Sequence, residues 1–197
     1  MQLSLGRRWV AAAILAGMLA ACQSEPPRPR YPEITFTELA PMRLDVARID
    51  VVNEYVPPLK PPNIEQEFPV NIAAVAERWA HDRLRAVGST GSARVVIKDA
   101  SAVETDLRKT PGLKGMFTTD QASRFTSRVA MAVEVRNDHG FKDAAAEASA
   151  TRTRTLPENA TLNDRDQLFF DMTEAMMRDV DAELEKNIRA YMGRFLR

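Results

Sequence analysis

Apolar and polar positions change period several times along this chain, and each change marks an element. Between Arg43 and Tyr55, Leu44, Val46, Ile49, Val51 and Val52 alternate with polar residues and slip near Ala47, which predicts a strand carrying a bulge. Pro57, Pro58, Pro61 and Pro62 then withhold amide donors and restrain their predecessors, so the next stretch is a rigid connector. From Asn71 to Val87, Ile72, Val75, Trp79, Leu84 and Val87, with Ala76 and Ala80 between them, fall mostly at helical spacing. Gly88 supplies a C-terminal stop, and the segment reads as a helix of about four turns. Val95-Val96-Ile97 lies at the centre of a buried strand over Arg94 to Val103.

The cleanest alternation runs from Phe125 to Val135: Val129, Met131, Val133 and Val135 point one way, Arg128, Ala130, Ala132 and Glu134 the other. Asn137-Asp138-His139-Gly140 has turn composition, and Ala144, Ala146, Ala148 and Ala150 alternate beyond it. The two segments form a hairpin if Val133 pairs with Ala144, Met131 with Ala146 and Val129 with Ala148, because both apolar sets then share a face. A helix competes for Asp143 to Ala150, since alanine has the highest helix propensity, while the threonines of 151 to 155 favour the strand. Small alanines on the buried face would let a helix approach the sheet closely.

Thr161 followed by Asp164 has the form of a capping box, and Leu168, Met172, Met176, Val180, Leu184, Ile188 and Met192 then repeat every four residues. Acids dominate from Asp164 to Glu183 and bases from Leu184 to Arg197, which suits the dipole of one long helix spanning roughly 50 Å. The order β-α-β-β-β-α predicts an α+β fold: an antiparallel-rich four-stranded sheet with two helices on one face.

The first residues follow another pattern. Arg7 and Arg8 precede a dozen uncharged, mostly apolar residues, Trp9 to Ala20, as in a secretory signal, and the run is shorter than the roughly 20 residues a membrane span needs. It ends in Leu19-Ala20-Ala21-Cys22, which resembles the lipobox of bacterial lipoproteins at every position. The resemblance implies removal of residues 1–21, a diacylglycerol on the Cys22 thiol and acylation of the new amine. It thereby implies a covalent lipid in place of any other cofactor and a membrane as the first partner. An ordinary cleaved signal and an uncleaved anchor are the competing readings. Cys22 is the chain's single cysteine, placed where lipid chemistry would consume it. Residues 22–33 carry four prolines and read as an extended tether of roughly 30 Å, leaving 34–197 as one domain. Gln23 stands where an inner-membrane retention signal has aspartate, so the periplasm-facing side of the outer membrane is expected over the inner one.

Charge narrows the functions. Lys and Arg number 27, as do Asp and Glu, so no net field gathers nucleic acid, and loss of Arg7 and Arg8 leaves the mature chain at about −2. His81 and His139 are the only histidines and lie far apart in the sequence, so no metal site is expected. Glu77 and His81 share a helix face and, with Asp82, form the best candidate for a hydrolytic site. A solvated pair is the plainer account, and the chain is not expected to be an enzyme. Between two strands, Arg108, Lys109, Leu113, Lys114, Met116 and Phe117 mix cations with sizeable apolar side chains. They suit contact with a partner or with the lipid interface, and a loop folded back onto the core is the alternative.

In element order and lipidated N-terminus the chain resembles envelope accessory lipoproteins, such as the lipopolysaccharide-assembly lipoprotein and the auxiliary lipoproteins of ABC-type lipid transport, the latter also through Arg78-Trp79-Ala80. That resemblance implies a non-enzymatic subunit of an envelope complex that handles lipids or assembly, docked through a sheet edge or the Leu113 to Phe117 loop. The second reading is a lipid carrier with a cavity lined by Met172, Met176 and Val180.

Overall fold

The computed structural model describes residues 31–107 and 121–197. Cys22 and the loop residues Arg108, Lys109, Leu113, Lys114, Met116 and Phe117 lie outside the described residues. The elements are β1 (Met42–Leu44), β2 (Arg48–Asn53), α1 (Ile72–Arg83), β3 (Leu84–Ala86), β4 (Ser92–Asp106), β5 (Gln121–Arg136), β6 (Lys142–Pro157) and α2 (Leu162–Tyr191). Strands β2-β4-β5-β6 form the main sheet, in that order. The β2-β4 pair is parallel and the other two pairs antiparallel, so the fold is α+β with a mostly antiparallel mixed sheet. A parallel neighbour needs a crossover, and α1 with the connectors flanking it supplies that between β2 and β4.

The single strand expected over Arg43 to Tyr55 is two strands in two sheets. β1 pairs with β3 in a separate parallel pair, while β2 joins the main sheet. The break is a tight turn, Val46 N–H to Leu44 O at 2.9 Å, pressed against Gly88. A Cβ at Gly88 would stand 2.7 Å from the carbonyl carbon of Asp45 and the nitrogen of Val46. Gly88 therefore permits close approach of two backbones and does not stop the helix, which ends at Arg83 as Leu84 turns extended to pair with Met42.

The β5-β6 hairpin is present, but its register differs from the expected one by two residues. Val135 faces Ala144, Val133 faces Ala146, Met131 faces Ala148 and Val129 faces Ala150. A shift of two leaves every side chain on its own face, so alternation alone does not distinguish the two pairings. The stretch Asp143 to Ala150 is strand throughout, which removes the helix alternative.

Both helices cover the face carrying these apolar rows, and Trp79, Phe169, Met176, Leu184 and Ile188 are fully buried there in one core with Val95, Ile97 and Met131. α2 packs chiefly over β6 and β5, where the alanines keep the surface low. At its start Thr161 and Asp164 cap each other reciprocally, as the spacing predicts. Arg165 anchors the first turn by pairing with Glu67 at 2.7 Å and Glu104 at 3.0 Å, and its guanidinium lies over the rings of Phe125 and Phe169. Residues 31–41 run as a strap over the two helices. Ile34 and Phe36 enter the core, the Phe36 N–H donates to Asp82, and Tyr31 stacks on Phe170 with centroids 5.0 Å apart. Tyr31 to Glu33, read from sequence as the end of the tether, thus already lie against the domain.

Candidate docking interface

β6 occupies one border of the main sheet and is 16 residues long, against six for β2 at the other border. In an antiparallel ladder, residues alternately turn both backbone groups toward the neighbour or both away from it. Two side chains from the C-terminal part of the chain fix which residues face outward here. Asn187 Nδ2 donates to the Glu147 carbonyl at 2.8 Å and Arg194 to the Asp143 carbonyl at 3.0 Å. The same parity turns the backbone of Ser149, Thr151, Thr153 and Thr155 away from β5; Arg154 takes the Thr153 carbonyl at 3.1 Å, and among the described residues none bonds to the other outward groups of this row. An unpaired row of this kind is a template for another strand.

A groove of about 1120 Å³ follows that border, bounded by Ala148, Ala150 and Thr151 of β6 and by Asp179, Ala182 and Glu183 of α2. Its four cations all meet acids that also line it: Lys98 with Glu147 at 2.6 Å, Arg128 with Asp99 at 3.3 Å, Lys186 with Glu183 at 3.2 Å, and Arg152 with Asp179. Internally neutralised walls and small side chains leave the main chain as the feature offered to a partner. The arrangement can add an extended strand and does not select a charged ligand.

The structure separates the residues that sequence grouped as a hydrolytic site. Glu77 is half-buried beside a cavity at the start of α1, His81 is exposed, and Asp82 holds the strap through the Phe36 N–H at 2.9 Å. His139 is exposed in the β5-β6 turn. Among the described residues no group of three or more His, Cys, Asp or Glu could hold a metal ion, and no helix is long and apolar enough to cross a membrane. Met172, Met176 and Val180 are buried in the helix-sheet layer.

Sequence reasoning missed a buried charge cluster between the helices. Asp181 accepts Trp79 Nε1–H at 2.7 Å and Arg83 Nε–H at 2.6 Å, and Arg83 also meets Glu185 and the Ala40 carbonyl. The Arg83 side chain is only 1% exposed. Arg189 foremost, and then Arg83, hold the Glu185 carboxyl below the ordinary glutamate range, against the opposing effect of burial. The signal available was an aspartate on the apolar stripe of α2, at i+4 from Met177.

No family model and no curated protein matches the chain. Among solved structures it is similar to a minor lipoprotein from Acinetobacter baumannii, at 12% identity over 78% of this chain and 96% of that one, with a TM-score of 0.37. A likeness at that score carries no argument about fold or function.

Proposed function

We propose that this chain is a lipid-anchored envelope lipoprotein acting as a non-enzymatic accessory subunit, and that it docks an extended segment of a partner protein along β6. Anchoring rests on Leu19-Ala20-Ala21-Cys22 and the apolar run before it. Docking rests on one observation: the outward backbone of Ser149 and Thr151 is unpaired beside a groove of about 1120 Å³, and the row continues with the Thr153 N–H and the Thr155 backbone beyond it. Burial of Met172, Met176 and Val180 favours this reading over a lipid carrier, because the side chains that would line the carrier's cavity fill the core instead. The Gln23 position supports the outer membrane, facing the periplasm, as the site of anchorage.

Two measurements test the two halves. Metabolic labelling with palmitate should mark the parent chain and not Cys22→Ala, and a Cys22→Ala chain that stayed with the membrane pellet would remove the anchor. A photo-crosslinking residue at Ser149 should capture a protein in living cells, and Thr153→Pro should abolish capture. Proline there removes an outward N–H and the hydroxyl that meets Thr126 Oγ1 at 3.2 Å, and takes no backbone bond from the β5-β6 ladder. Capture undiminished by Thr153→Pro, or none at all, rules out strand addition.

A further inference from the structure

Between the end of β2, the proline-rich connector and the first turns of α1 lies a second cavity, of about 400 Å³, within the range of small-ligand sites. Asn53, Tyr55, Glu65, Gln66, Asn71 and Glu77 supply its polar groups, Pro57, Leu59 and Ile72 much of its apolar wall, and no lining residue is a cation. Glu65 is buried and engaged: Tyr55 Oη–H donates to its Oε1 at 2.9 Å and the Ala102 N–H approaches Oε2 at 3.4 Å. Glu77 is half-buried and makes no hydrogen bond or ion pair with any described residue. Burial first, and then the bond and charge of Glu65, push the Tyr55 hydroxyl well above the usual tyrosine range, so it stays protonated. Its proton is committed to Glu65 and the Asn63 side chain donates to its oxygen, which leaves one lone pair to accept.

The charge of the walls is one-sided. Glu77 supplies an unpaired carboxylate, and the Tyr55 oxygen and the Gln66 carbonyl oxygen, whose amide nitrogen already donates to Asn63 O at 3.3 Å, add acceptors, while Asn53 and Asn71, whose oxygens accept from the Tyr55 and Ala74 N–H groups, carry amide donors. A primary ammonium has three donors and no acceptor, and a short aliphatic stem suits Pro57, Leu59 and Ile72. An anion would meet two carboxylates and no cation. We propose that this cavity binds an alkylammonium group, a primary ammonium on a short aliphatic stem, with Glu77 as its ion-pair partner. Such a group occurs on soluble diamines and on the ethanolamine headgroup of phospholipids. The site does not depend on β6 docking or on lipidation at Cys22.

Calorimetric titration of the full-length chain in a nonionic detergent tests it, with cadaverine and glycerophosphoethanolamine as the two sources and pentanol and pentanoate as controls. At least one amine should bind and neither control should. The tighter amine identifies the source. Glu77→Gln should weaken binding about tenfold or more and Tyr55→Phe should weaken it measurably, while Glu174→Gln, outside the cavity, should leave it unchanged. Thermal unfolding of each variant confirms that it is folded. No heat from either amine up to about 10 mM, or an affinity indifferent to Glu77→Gln, overturns the proposal.

Discussion

Asp181 and Glu77 are both carboxylates beside α1, and the structure treats them in opposite ways. Asp181 is nearly sealed and receives donors from Trp79 and Arg83, while Arg83 spends its remaining fork on Glu185 and the Ala40 carbonyl. Glu77, half-buried on the same helix as Trp79 and Arg83, has no described partner. Glu65, with Tyr55 and the Ala102 N–H, stands between the two. A saturated buried charge holds elements together and has no valence left for a ligand, whereas an unsaturated one facing a cavity adds little to stability and keeps its bonding capacity. Function is therefore sought at Glu77 and stability at Asp181.

The largest test of that contrast is Asp181→Ala. It leaves the Trp79 N–H without an acceptor and the Arg83 guanidinium short of one carboxylate, and should cost about 3–5 kcal/mol in denaturant unfolding. A loss under about 1 kcal/mol would mean that water replaces Asp181 easily and that the cluster is not structural. Tyr55→Phe comes next, at about 1.5 kcal/mol, since it strips Glu65 of its stronger donor while filling nearly the same volume.

Little of this cluster could be read from the sequence, for a geometric reason. Trp79 and Asp181 are separated by 102 positions, and periodicity reports only which face of an element is buried, not what meets it there. The same limit explains the hairpin: alternation placed Val129, Met131 and Val133 on the buried face correctly but does not separate registers two residues apart. Local rules succeeded where the physics is local. Thr161 and Asp164 cap each other as their spacing implies, and the stripe from Met172 to Ile188 is the buried face of α2. The split of Arg43 to Tyr55 into β1 and β2 was hidden because its cause, Gly88, lies more than 40 residues beyond Asp45 and acts by letting the backbones touch. That β6 is a border strand depends on strand order, which no single strand encodes.

Glu134 offers an intermediate case on the sheet face away from the helices. Its side chain is 10% exposed and paired with Lys142 and, at 2.6 Å, Arg136. Lys142 foremost, with Arg136, holds its carboxyl below the usual glutamate range, against the opposing effect of burial. With the folded pKa below the unfolded one, the stabilisation is present above the unfolded value, about 4.3, and is lost as pH falls through the folded value. Glu134→Gln should therefore cost about 1 kcal/mol at neutral pH. Parent and variant stabilities should converge once the pH has fallen below the folded value. Curves that stayed parallel into acid would show that the cost comes from packing and not from charge.

Glu77→Gln should have the smallest effect of all. The substitution keeps the side chain's shape and removes a charge that no described cation neutralises, from a cavity already holding Glu65. Stability should then change by less than about 0.5 kcal/mol, and any change should be a gain, because one of two like charges is gone. The gain should shrink in high salt, which already screens that repulsion. If Glu77→Gln instead lowered the unfolding free energy by more than about 1 kcal/mol, Glu77 would be holding structure as Asp181 does. The distinction between a saturated carboxylate that binds the helices and an unsaturated one reserved for a ligand would then fail at the residue on which it depends.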